Sequence, residues 1–164
     1  MSNDFYTTSI LPYSAIIMKI CRAYSNSQED FEDYFQEVCL QIWRSRHNFK
    51  GNSKKSTWIY RLSLNVCLTL LKKEVKYKGV HINSDNLPEQ LIQDRQEFLD
   101  KDLTKLYDGI KQLSEIDRAI IMLYLEELSY KEIAKIIGSN TNNIGVKVNR
   151  IKNRLKRILT ENKF

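Results

Sequence analysis

A chain of 164 residues with 42% hydrophobic side chains has material for one moderate domain or two small ones, and is not disordered as a whole. Only five Gly and two Pro argue against a turn-rich β sandwich and favour helices. The net charge of +6 is concentrated: residues 51–80 hold seven basic and one acidic side chain, and residues 141–164 again seven and one. Two separate basic blocks point to two contacts on one polyanion.

The N-terminal stretch has no basic residues ahead of its apolar ones, and nothing approaches the roughly 20 apolar residues a bilayer span needs. A cytoplasmic chain with no membrane insertion is expected. Cys21, Cys39 and Cys67 are widely spaced on apolar stripes, with no Cys-x-x-Cys pair and no histidine at ligand spacing. They read as core thiols, and no metal or cofactor is expected.

In chain order, Leu11, Ile16, Ile17, Ile20, Cys21 and Tyr24 predict a first helix from about Ser9 to Tyr24. Ser27 and Asp30 give a capping signal for a second, from about Gln28 to Asn48, whose buried face carries Phe31, Tyr34, Phe35, Val38, Cys39, Ile42 and Trp43. Its other face presents Asp33, Gln36, Glu37, Leu40, Gln41 and Arg44. Such a face is ordinarily just solvated, although Leu40 among polar groups hints at docking.

Phe49 to Ser56 reads as a polar, glycine-containing loop, and a third helix follows from about Thr57 to Lys73 with Trp58, Ile59, Leu62, Val66 and Leu70 on one stripe. Lys54, Lys55 and Arg61 beside Phe49, Trp58 and Tyr60 form the combination that binds unpaired strands, where cations track phosphates and aromatic faces stack on bases. Trp58 itself also reads as a core anchor.

The composition then changes, and a linker is expected over 79–95. Residues 81–110 hold three basic and seven acidic groups. Leu99, Leu103, Leu106, Tyr107, Ile110 and Leu113 predict a helix ending near Leu113. Ser114 and Asp117 cap the next, expected to bury Ile116, Ile120, Leu123 and Tyr124.

Leu128 to Leu159 is the most specific stretch. Ser129 and Glu132 form a capping box, Ile133, Ala134 and Ile137 recur at helical spacing, and Gly138 supplies the left-handed stop. A second run places Ile144, Val148, Ile151, Leu155 and Ile158 on one stripe, with most of its cations off it. This is a helix-turn-helix pattern, whose second helix lies in the major groove. The expected fold is all-α: two small helical domains, 1–78 and 96–164, joined by a flexible linker, the second a four-helix domain.

Three motifs occur in order: Asp33-Tyr34-Phe35-Gln36-Glu37-Val38 with Trp43 and Arg44; Phe49-Lys50-Gly51 with Thr57-Trp58-Ile59-Tyr60-Arg61-Leu62 and Asn65-Val66; and Leu128 to Ala134 through Gly138. Together they make the chain resemble the extracytoplasmic-function (ECF) sigma factors. The resemblance implies a non-enzymatic subunit that takes bacterial RNA polymerase core to promoters and initiates transcription. Asp33, Gln36, Glu37, Leu40, Gln41 and Arg44 would dock on the clamp helices of the largest subunit, and the chain would also meet the flap of the second largest. Asn52, Ser53, Lys54, Lys55, Trp58, Tyr60, Arg61 and Asn65 would melt and hold the minus-ten element. Ser139, Thr141, Asn142, Lys147, Arg150, Arg154 and Lys156 would hold the minus-thirty-five element, the last two on phosphates. An anti-sigma partner wedged between the halves could be accommodated. Gly145 stands where such proteins commonly carry a basic residue. The rival reading is a helix-turn-helix repressor or activator that binds duplex operators without polymerase.

Overall fold

The computed structural model describes residues 3–78 and 101–161, which form helices and connecting turns with no strand among them. The predicted linker and Leu99 lie outside the described residues.

The first expected helix is broken. A helical turn over Asn3–Phe5 and a π turn over Tyr6–Ile10 lead into a tight 3-10 turn, Leu11–Tyr13, and regular helix starts only at α1, Ser14–Tyr24. Pro12 supplies the reason, because it has no amide hydrogen to continue an α-helical ladder. Ser27 then caps α2, Gln28–Arg44, by accepting the Asp30 amide at 3.0 Å. A 3-10 turn over Arg46–Asn48 takes up what the sequence pattern placed in the end of this helix.

The third helix, α3, spans Lys55–Lys78. Its buried stripe is Ile59, Ser63, Leu64, Cys67 and Leu71, while Trp58, Leu62, Val66 and Leu70 are only partly buried. The expected stripe is thus rotated toward α2. Apolar residues occupy most of the circumference of α3, and it packs on both α1 and α2, so periodicity alone does not select the core face.

The second half comprises α4 (Lys101–Lys111), α5 (Glu115–Leu125), α6 (Tyr130–Ile137) and α7 (Thr141–Glu161). Ser114 caps α5 and Ile120 and Leu123 are buried as expected, but Ile116 faces outward at 45% exposure, Tyr124 is only partly buried, and Ala119, Ile121 and Met122 join the core. Both halves of the Ser129–Glu132 capping box are made, at 3.1 and 2.9 Å. Gly138, at φ 84°, ends α6 with its own amide and that of Ser139 on the Ala134 carbonyl. Ile144, Val148, Ile151 and Leu155 then bind α7 to the rest, as the stripe predicted.

The halves are not isolated. Helix α1 packs on α2 and α3 and also on α4 and α5, while α3 meets α6, and the buried side chains form one continuous apolar cluster. The three cysteines are buried and free; Cys21 and Cys67 lie 3.9 Å apart, sulfur to sulfur. Burial pushes the Cys39 thiol up to about 11, which suits a core thiol rather than a reactive one.

Candidate nucleic-acid interface

A short helix, α6, and a long one, α7, at the end of the second half set up the first surface. The left-handed Gly138 turns the chain, and Asn140 caps α7 by accepting the Asn143 amide at 2.9 Å. With its apolar stripe buried, α7 exposes Thr141, Asn142, Arg150, Arg154 and Lys156, while Lys147, and Ser139 in the turn before the helix, are partly exposed. Arg150 is held from behind by Asp117, 3.5 Å away and largely buried. The sequence pattern marked Asp117 only as part of the α5 cap; its second role comes from the packing of α5 on α7. Lys152, another α7 cation, lies over the Tyr124 ring at 5.2 Å.

The second surface is the loop before α3 and that helix's first turns. Gly51 takes a left-handed φ of 76°, which turns the loop, and Asn52 and Lys54 are exposed. Ser53, Lys55, Trp58 and Tyr60 are half-buried. Trp58 packs on Phe49, ring centroids 5.4 Å apart, and Lys55 donates to the buried Ser9 hydroxyl at 2.8 Å. Ser9 carries no sequence signal for this contact, being 46 residues away. Lys54 and Arg61 both point at α6. The Lys54 ammonium is 3.7 Å from the Glu132 carboxylate, and Arg61 donates to the Lys135 carbonyl at 2.9 Å. Asn65 stands apart from the loop, in a groove with Glu37, Gln41, Val66 and Thr69.

The third surface is the polar face of α2. Asp33, Gln36 and Arg44 are exposed, and Glu37, Leu40 and Gln41 partly so. Gln41 donates to Glu37 at 3.0 Å along the helix, an i, i+4 pair. Shallow grooves run between this face and α3, lined by Asp33, Glu37, Leu40, Leu70 and Lys73. Beneath them Tyr34 is buried; desolvation first, and then the Glu74 carboxylate, raises its phenol well above the ordinary value and keeps it neutral. No group of metal-ligating side chains occurs among the described residues, and no helix there is long and apolar enough to cross a membrane.

An N-terminal helical bundle with a basic aromatic loop, followed by a helix-turn-helix bundle, is the architecture of a promoter-directing sigma factor. A family model for Sigma-70 region 2 matches residues 10–77, and one for Sigma-70, region 4 matches residues 103–161. The chain belongs to the sigma-70 family, in its ECF group, and serves to direct RNA polymerase to promoters. It is 25% identical over 145 residues to RNA polymerase sigma factor YlaC of Bacillus subtilis (strain 168), covering 82% of this chain and 80% of that one. It is 29% identical over 128 residues to the ECF RNA polymerase sigma-E factor of Haemophilus influenzae (strain ATCC 51907 / DSM 11121 / KW20 / Rd), covering 68% of this chain and 65% of that protein. The fold is similar to that of the sigma factor RpoE in its co-crystal structure with the anti-sigma factor NepR from Bartonella quintana. The TM-score there is 0.75 at 21% identity, over 96% of this chain and 98% of the other.

Proposed function

We propose that the three surfaces divide the work of a promoter-directing factor, with residues 1–78 and 96–164 as its two working units and 79–95 as the connector. The polar face of α2, with Asp33, Gln36, Glu37, Leu40, Gln41 and Arg44, docks on the clamp helices of the polymerase, and the second half engages the flap. The loop from Asn52 and the start of α3 hold the melted minus-ten strand. There Lys54, Lys55 and Arg61 serve its phosphates and Asn52 and Ser53 approach an unstacked base, while Asn65, further along α3 in the groove beside α2, meets the strand away from the loop. The first three turns of α7 read the minus-thirty-five duplex, and Arg154 and Lys156 grip its backbone. Chemistry remains with the polymerase, and this chain supplies the address.

One observation carries this reading: α7 leaves its early polar residues exposed while Asp117 holds Arg150 in place behind them. A preset guanidinium can meet a guanine edge in two parallel bonds with little ordering cost. An operator-binding repressor would need only α7, and would leave the α2 face and the Asn52 loop unused. Transcription by core polymerase on a pool of random promoters separates the two. Specific starts that require this chain, and that vanish on changing Asp33 and Gln36, are expected. Tight operator binding without polymerase, unaffected by the Asn52 loop, would favour the repressor instead.

RpoE's complex with NepR supports a similar anti-sigma partner for this chain. The seam where α1 meets α4 and α5 is the natural seat for a wedge between the halves.

A further inference from the structure

Most of α7 follows a simple rule, with apolar residues inward and polar residues outward, and Val146 breaks it. Its side chain is 70% exposed, more than any other large apolar residue among the described ones; Leu11 is next at 51%. Ile144 and Val148, two residues to either side, are completely buried, and two residues correspond to roughly 200° around a helix, so Val146 points away from the core. Helix propensity does not account for it. A β-branched residue at an exposed helical position is less favourable than Ala, Lys or Glu, and here it follows Gly145, a poorer helix former still. Two consecutive positions therefore weaken the helix, Gly145 where it faces the Tyr130 ring and Val146 on the face turned outward.

The neighbours of Val146 on that face are Asn142 and Asn143 one turn earlier and Asn149 and Arg150 one turn later, all exposed. Amides, an aliphatic group and a guanidinium are the three chemistries that distinguish base edges in the major groove. Asn and Gln pair with adenine, Arg with guanine, and an apolar side chain meets the C5-methyl of thymine. The cations that suit phosphates lie later, at Arg154, Lys156 and Arg157.

We propose that Val146 is a specificity-determining residue that packs on a thymine methyl group in the upstream duplex element, between an adenine read by the asparagines and the contact made by Arg150. The inference rests on the assignment of α7 as the recognition helix.

The test uses the full chain with core polymerase and a promoter enriched from a random pool. Each thymine of the upstream element is replaced in turn by deoxyuridine, which keeps the base pair and removes only the methyl. One replacement is expected to weaken binding by roughly fourfold, the weight of one buried methyl group. Val146→Ala should lose about as much on the thymine promoter and nothing further on the deoxyuridine one. Because alanine favours the helix, misfolding does not confuse the result. Equal binding of every deoxyuridine promoter by the parent chain, or the same loss in Val146→Ala, would overturn the proposal. Arg150→Ala separates the levels: if it still abolishes selective binding, only the role of Val146 fails. If neither change matters, the assignment of α7 fails with it.

Discussion

The two basic surfaces of this molecule are built in opposite ways. On α7 the cations stand clear of the other half, and the ties of Arg150 to Asp117 and of Lys152 to Tyr124 come from the same helical bundle. On the Asn52 loop and α3, Lys54 and Arg61 are engaged with α6 across the seam, and Lys55 is anchored to Ser9. A duplex can meet the first surface as it stands. An unpaired strand reaching for Lys54 and Arg61 must compete with a carboxylate and a helix-terminal carbonyl. The Lys54–Glu132 pair is exposed and screened by solvent, so this competition is readily won by a polyanion.

The contrast can be tested from its foundation outward. Ile20 is fully buried on α1, the helix that packs on both bundles, so Ile20→Ala should cost about 2–5 kcal/mol in urea unfolding. The halves should unfold in one transition. Two separate transitions, with only one shifted, would show that the seam is incidental and that both surfaces act independently.

A smaller effect is expected at the cap of α6, which carries the partners of Lys54 and Arg61. Ser129→Ala should cost about 1 kcal/mol, read by thermal or denaturant unfolding. The Ser129 backbone amide, first among the causes, holds the Glu132 carboxyl below the usual range near pH 4.3 or so. Its folded value lies below the unfolded one, so its contribution is complete above the ordinary carboxylate range and is lost as pH falls through the folded value. Replacing Glu132 with Gln should remove that acid-side dependence; an unchanged pH profile would show that the box contributes nothing through charge.

Smallest in size and opposite in sign is Gly145→Ala, early in α7 beside α6. A methyl group there would sit 3.5 Å from the Tyr130 ring, an ordinary contact, so the variant should gain up to about 1 kcal/mol. A melting temperature that falls would mean that α6 and α7 pack more tightly than this spacing implies.

These sites also mark how far the amino-acid pattern reaches. From Ser129 to Leu155 nearly every feature was legible, because capping boxes, left-handed glycines and amphipathic stripes are local and leave short-range signatures. The rotated core face of α3 was not, since Leu62, Val66 and Leu70 mimic a stripe while only partly buried, the last two facing the groove beside α2. Ile116 misled for a related reason: α5 is apolar on more than one side, and periodicity does not say which side meets water. The ties of Arg61 to Lys135 and Lys55 to Ser9 had no signature at all. A carbonyl 74 residues away accepts a bond whatever its side chain is.

Arg118 shows what such a long-range bond can do. Its guanidinium takes the Lys111 carbonyl at 2.7 Å and that of Leu113 at 3.2 Å, and reaches Ala23 at 3.5 Å, while lying over the Tyr24 ring; the Tyr24 hydroxyl in turn donates to Glu115. The C-terminal ends of α1 and α4 are both negative poles of helix dipoles, and they converge on this one cation. Parting the two halves would leave α4 with its counter-charge and strip α1 of the same charge. At this cation the electrostatic cost of separation would then fall on α1, at its last turn, beside the Lys54–Glu132 and Arg61–Lys135 ties lost elsewhere along the seam.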